Sequence, residues 1–201
     1  MSHVSRHMNA DDHLNRLIPH RLDALAILAL ILELRLKWEE PKPMQILVDG
    51  RVQFEGLTSL FTNPIIEVGA LHIRALLEFF GLKAKSSALV AVPTSQRKPD
   101  DAGIELLELS GKALQLVTPA QARDAHPENP GLAEASLVAA INAANKGMAH
   151  LSTQYASNPV EAEQLLLAAR LTQHLVEKHV YLPLGRERPA LPIRQGHARD
   201  G

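Results

Sequence analysis

The chain has 201 residues, no cysteine and a formal net charge of -1, so we expect one domain that binds no nucleic acid by bulk charge. The missing cysteines exclude disulfides, thiolate metal sites and a cysteine nucleophile. The 33 leucines and 27 alanines far outnumber the 10 isoleucines and 11 valines. Because Leu and Ala favour helices whereas β-branched residues favour strands, this composition predicts a mainly α-helical protein.

The first predicted elements are a flexible arm over residues 1–10 and a helix that ends at Trp38. This helix begins at residue 11 or 21, and Pro19 is a candidate break within it. The arm is not followed by the apolar segment of a secretory signal. The most apolar run, residues 24–32, is shorter than the roughly 20 residues of a bilayer span. We therefore expect a cytoplasmic protein that does not contact a membrane.

A β-hairpin is predicted next, with strands at residues 44–48 and 51–54. The dipeptide Asp49-Gly50 separates these two runs, and Asp-Gly is typical of two-residue hairpin loops. Two strands alone make a marginal sheet. We therefore expect this hairpin at the periphery of the fold.

A second long helix is predicted over residues 63–80, with Pro64 at its first helical position. Arg74 and Glu78 are four residues apart, so they lie on one face and can form an ion pair. His72 lies beside that polar face, near an apolar flank. A histidine at such a place is usually a core residue with a hydrogen-bond partner, although it can also belong to a site.

The stretch from residue 83 to residue 125 has the least regular pattern in the chain. It contains Ser86-Ser87 and a candidate short hairpin that pairs residues 104–109 with residues 113–117. Thr118-Pro119, followed by a glutamine at position 121, is typical of a capped helical turn.

Two further long helices are predicted, over residues 132–155 and residues 158–179. The latter is apolar around much of its circumference, as expected in the middle of a bundle or at a dimer interface. We expect an antiparallel bundle of four to five long helices over residues 11–184, with one or two small peripheral β-hairpins. Residues 185–201 are predicted to be a disordered tail.

The helix over residues 132–155 shows a core face and a face with candidate chemistry. Lys146 and His150 are four residues apart and lie opposite the core stripe, beside Ala139 and Ala143. Small neighbours leave room for a ligand or a second helix. A histidine next to a cation suits proton transfer near neutral pH, although such a pair is more often a solvated pair on the outside of a bundle. The core stripe consists of Leu137, Ile141, Ala144, Met148 and Leu151.

A metal site is not predicted. Ligands from His72, Glu78 and His150 would have to meet across helices, and no spacing in the sequence supports that arrangement. The sequence contains no zinc-protease, phosphate-loop, dinucleotide-binding or nucleophile-elbow motif. We therefore expect neither a metal nor another cofactor.

Two stretches carry a resemblance to known proteins. Residues 72–80 read HIRALLEFF and residues 141–152 read INAANKGMAHLS, and Asp100-Asp101 lies between them. Together they resemble an uncharacterised family of bacterial all-helical proteins with HxRxLxEFF and NKxxAHLS motifs. The resemblance covers roughly residues 60–180. That family in turn is similar to the HEPN superfamily of helical bundles.

The HEPN resemblance implies one of two functions. Active members are metal-independent endoribonucleases of toxin and defence systems, which use R-x(4–6)-H, usually across a dimer. His150 matches that histidine, but Ala143, Ala144 and Asn145 occupy the three positions allowed for the arginine, and Lys146 is one residue too close. Other members are non-catalytic modules that bind nucleotides, RNA or protein partners.

We therefore expect a non-catalytic homodimer that binds a nucleotide, an RNA or a protein partner, with Asn145, His72 and Glu78 as candidate ligand-binding residues. The alternative is a metal-independent endoribonuclease. In that case His150 would be the general base, and Lys146 and Arg74 would stabilise the charge that develops on the phosphorus centre.

Overall fold

The computed structural model describes residues 10–98, 101–147 and 159–190. Within these residues the protein is mainly helical, as predicted, and three small antiparallel hairpins decorate the helices. The six α-helices are α1 (Ala10–Asp12), α2 (Ile18–Arg35), α3 (Ser59–Phe79), α4 (Pro119–Arg123), α5 (Pro130–Gly147) and α6 (Pro159–Val176).

The six strands pair as consecutive hairpins. They are β1 (Pro43–Val48) with β2 (Arg51–Leu57), β3 (Leu82–Lys85) with β4 (Ala88–Ala91), and β5 (Glu108–Leu109) with β6 (Lys112–Ala113).

The first long helix is continuous rather than divided. A π-helical turn, His13–Leu17, joins α1 to α2. Pro19 lies in the first turn of α2. Proline lacks a backbone N–H, and at the start of a helix that group is usually without a partner inside the helix. A second π-helical turn, Glu177–Tyr181, extends α6. The two π-helical turns meet, since the Tyr181 hydroxyl donates to the Leu14 carbonyl at 3.3 Å.

Helix α3 begins four residues before the predicted start, so Pro64 lies inside the helix rather than at its first position. The cause is the base of the first hairpin, where Thr58 exchanges hydrogen bonds with the Lys42 backbone at 2.8 and 3.0 Å. The helix starts directly after that tie. Pro64 removes the usual donor to the Leu60 carbonyl. Leu60 is exposed, and at an exposed position solvent can replace the lost donor.

The apolar core lies where α3 packs against α2, α5 and α6, and α6 also packs against α2 and α5. Most apolar residues of α6, from Ala162 to Val176, are therefore buried inside the chain, whereas Val160 in its first turn is exposed. At the crossing of α2 and α3, a Cβ added to Gly69 would lie 2.7 Å from the Leu28 side chain. Gly69 thus permits a close approach of these two helices. The predicted stripe on α5 is confirmed for Leu137, Ile141 and Ala144, which are all buried.

Among the described helices, α3 is long and apolar enough to cross a membrane by length and composition. This is weak evidence, because the core helix of a globular protein meets the same criterion. Eight residues of α3 are buried against the rest of the chain.

The first hairpin is confirmed, with Asp49 and Gly50 at φ 51° and 75°. Three hairpins form where one or two were expected. The additional hairpin is β3–β4, which was not predicted because the sequence around Ser86-Ser87 lacks a Gly or Asn turn signal. The β5–β6 hairpin is shorter than predicted, since residues 104–106 form a 3₁₀ turn. The capped turn at Thr118 is confirmed as a full capping box.

The described chain ends lie together. The Arg186 guanidinium lies 3.5 Å from Asp11, and that of Arg188 donates to Gln173 at 3.1 Å. The rest of the predicted tail, residues 191–201, and the arm up to residue 9 lie outside the described residues.

Candidate functional site

A polar cluster lies at the edge of the crossing between α2 and α3. His72 on α3 is half-buried, and its Nδ1 lies 3.2 Å from Nη1 of Arg21 on α2. A guanidinium can only donate, so Nδ1 accepts and the ring proton belongs on Nε2. This contact presents His72 as a neutral ring with one N–H donor.

The environment of His72 keeps its ring uncharged. Burial, followed by the nearby charges of Arg21 and His20, lowers the pKa of His72 to about 4. The imidazole is therefore neutral at neutral pH and accepts a proton only in acid. This state suits hydrogen bonding better than general acid catalysis.

His20 completes the aromatic part of the cluster. Its ring centroid lies 5.5 Å from that of His72, in an edge-on arrangement at 84°. His20 is exposed, while Arg21 is partly buried. The cluster thus has an exposed residue, His20, and two partly buried residues, Arg21 and His72.

The predicted ion pair on α3 forms, with Arg74 Nε 2.8 Å from Glu78 Oε1. Both side chains are well exposed, at 37% and 51%, so this pair contributes little to stability. Glu78 also acts on Arg21: burial lowers the pKa of Arg21, and the Glu78 carboxylate partly opposes that effect. The guanidiniums of Arg21 and Arg74 and the carboxylate of Glu78 together carry a net charge of one positive unit.

The candidates on α5 fall at the margin of the described residues. Asn145 is exposed, Lys146 belongs to α5 by its backbone, and His150 lies outside the described residues. In the described ranges, no hydrogen bond or ion pair joins Asn145 to Arg74 or to Glu78. The geometry therefore brings the α3 candidates together with α2, whereas His150 and the side chain of Lys146 lie outside the part of the chain that the structure describes.

The sequence reasoning did not identify Arg21 and His20 as site residues. They follow Pro19 and interrupt an otherwise leucine-rich helix, which is the one local signal that they are unusual. Their partner, His72, lies about fifty positions further along the chain. Only the crossing of α2 with α3 brings these residues together.

The described residues include no group of three or more His, Asp or Glu side chains arranged to hold a metal ion. At the cluster itself, the Arg21 guanidinium lies against His72 Nδ1. A cation at that nitrogen would meet a positive charge, so the arrangement suits an anion better.

A second buried charge, on Arg97, fastens the irregular segment to the end of α3. Its guanidinium donates to the carbonyl oxygens of Phe79 and Ala102 at 3.0 and 3.1 Å, and its Nε lies 3.1 Å from Glu105. A cation at a helix C-terminus is favourable. Because its hydrogen bonds go to two backbone carbonyls and its charge is paired with Glu105, Arg97 holds the fold together and is not available to a ligand.

Comparison with known proteins found no match. No family model matches the chain, and neither does any curated protein or any solved structure.

Proposed function

We propose that this protein is a non-catalytic helical module that binds a phosphate group, carried by a nucleotide or by an RNA end. The observation that carries the proposal is the contact between Arg21 and His72 at the α2–α3 edge. The binding site would consist of Arg21, His20 and His72, with Arg74 and Glu78 beside them.

The chemistry of the cluster supports an anionic ligand. Guanidinium groups bind phosphate through two parallel N–H donors, and such charge-assisted hydrogen bonds are strong. The neutral ring of His72 adds a donor without adding a charge. A single excess charge fits one phosphate group better than a long polyanion, in keeping with the overall charge of -1.

Binding is preferred over cleavage because the sequence lacks the arginine of the R-x(4–6)-H pattern. Burial, together with the adjacent Arg21, moreover lowers the pKa of His72, so that its ring is neutral at neutral pH. We further propose that the four long helices form an antiparallel bundle of the HEPN type, and that the protein acts as a homodimer in the cytoplasm. A protein partner is the remaining ligand class that this module would accommodate.

The test is calorimetric titration of the full chain with adenosine 5′-monophosphate, with adenosine, and with a short RNA that carries a 5′-phosphate. We expect binding of both phosphorylated probes and none of adenosine. Arg21→Gln should weaken phosphate binding at least about tenfold, since hydrogen bonds to charged groups are worth roughly 1.5–3 kcal/mol.

The matched control is Arg170→Gln, which removes a cation that is paired with Glu33 on another face. Arg170→Gln should bind both probes as the wild type does. Equal binding of adenosine and its monophosphate, or unchanged binding by Arg21→Gln, would refute the phosphate site. Cleavage of the RNA in the presence of chelator that disappears in His150→Ala would favour the endoribonuclease instead.

A further inference from the structure

The β1–β2 hairpin leaves large apolar side chains uncovered. It touches the helices mainly where β2 meets α3, and both its strands are largely exposed. Leu47 and Val48 are consecutive in β1 and point to opposite faces, so both faces of the hairpin expose apolar side chains. The exposed residues of the hairpin and of the helix start beside it are Leu47, Val48, Val52, Phe54, Leu57 and Leu60, each at least 39% exposed.

The two edges of this hairpin differ. Ile46 pairs with Phe54, and the next residue, Leu47, pairs with Val52. Gln53 therefore has no partner on β1 and forms a bulge on β2. A bulge of this kind twists a strand and protects its edge from further pairing. Strand β1 has no extra residue, so its outer edge is the one suited to accept another strand.

The turn determines which backbone groups β1 offers at that edge. The two-residue loop closes on the Val48–Arg51 pair, so the N–H and C=O of Val48 point toward β2. Direction alternates along a strand, and the N–H and C=O of Gln45 and Leu47 therefore point outward. In the part of the chain that the structure describes, the sheet has only these two strands, so no third strand pairs with this edge.

We propose that β1 pairs with β1 of a second copy, antiparallel and centred on Ile46, to give a four-stranded sheet across a twofold axis. Gln45 then lies opposite Leu47 of the other copy. Each of these two equivalent pairs exchanges both backbone hydrogen bonds, which uses every outward donor of the two residues. This inference assigns the surface of the dimer that the proposed function includes, and it rests on that dimer.

Three observations favour a second copy as the occupant. Residues 42–57 carry two basic and two acidic side chains, so two hairpins meet without net repulsion, and an anionic partner finds no excess of positive charge. A two-stranded sheet is marginal, whereas four strands with an apolar face are not. Finally, α6, the other candidate for a dimer interface, already buries most of its apolar residues against α2, α3 and α5.

The test begins with the mass of the full chain by sedimentation and light scattering, over low to high micromolar concentrations. We expect a dimer for the wild type. Leu47→Lys should raise the dimer dissociation constant about 100-fold, because both copies bring an edge lysine to the pairing. The matched control is Leu109→Lys, at an apolar residue of similar exposure on the β5–β6 hairpin, and it should remain dimeric.

A cross-link tests the register independently of folding effects. Since the chain has no cysteine, Ile46→Cys introduces a single thiol at the twofold axis, where residues opposite each other have Cα atoms about 4.5 Å apart. Mild oxidation should give a covalent dimer, and Leu109→Cys should not. Circular dichroism confirms that each variant keeps its helices.

A monomeric wild type, or a dimer that Leu47→Lys leaves intact, would overturn the proposal. A dimer that Leu47→Lys dissociates but that Ile46→Cys cannot link would overturn the register. Failure here is distinct from failure of the phosphate site, because the titration of Arg21→Gln with adenosine 5′-monophosphate reads a different surface.

Discussion

The seam between α2 and α3 and the β1–β2 hairpin show two ways of stabilising structure in one chain. In the seam, apolar side chains from both helices are buried, Gly69 permits close approach, and the polar groups at the edge bond to each other. In the hairpin, a two-residue turn determines the shape and most side chains stay exposed. Tertiary packing holds the seam, whereas local geometry holds the hairpin.

This difference separates stability from association. A change in the seam removes contacts on which the whole fold depends, so it should lower the free energy of unfolding. A change on the exposed hairpin should affect what the protein binds instead. Single substitutions in the two regions therefore separate the two effects.

Leu28→Ala should destabilise the protein by about 3–4 kcal/mol, because Leu28 is fully buried in the seam and its truncation leaves a cavity. Leu47→Ala, on the hairpin, should change the free energy of unfolding by less than about 0.5 kcal/mol. Urea unfolding at low protein concentration, where association plays no part, measures both. Similar losses for the two variants would contradict the comparison.

Alanine at two glycines should have opposite effects on stability. Gly69→Ala forces Leu28 to move, and an overpacking cost of about 2 kcal/mol exceeds the roughly 1 kcal/mol gained in helix propensity. At Gly131, which has room for a Cβ, the same change should stabilise by about 0.5 kcal/mol. Thermal unfolding of the two variants decides this, and a stabilised Gly69→Ala would show that the seam is loosely packed.

The pKa of His72 predicts a loss of stability in acid. Its folded value of about 4 is below the ordinary 6.5, so the unfolded chain takes up the proton first. The contribution of neutral His72 to the free energy of unfolding is fully present above pH 6.5. It decreases as the pH drops toward 4 and does not change further below that pH. The ring is half-exposed, so water screens the effect, and we expect about 1 kcal/mol.

His72→Gln is the variant that isolates this effect, because its amide oxygen still accepts from Arg21 but does not titrate. The difference in unfolding free energy between wild type and His72→Gln should narrow or reverse between pH 7 and pH 4.5. Carboxylates and other histidines contribute equally to both proteins and cancel. A difference that stays constant with pH would show that His72 titrates normally.

Much of the fold followed from local patterns. The leucine and alanine content indicated helices, Asp49-Gly50 indicated the first hairpin, and Thr118 indicated a capped turn, because each signal acts within a few residues. Strands β3 and β4 were missed because their turn, Ser86-Ser87, has neither the Gly nor the Asn that two-residue hairpin loops favour. The start of α3 was misplaced because a hydrogen bond to distant Lys42 determines it.

The candidate site was predictable only in part. From the sequence it followed that Arg74 and Glu78 share a helix face and form an ion pair, since that spacing is a property of one helix. The packing of α2 on α3 was needed to bring Arg21 and His20 against His72. Packing likewise buries most of α6, while no described strand pairs with the outer edge of β1. Local periodicity specifies which residues share a face, but the crossing of helices specifies which faces meet.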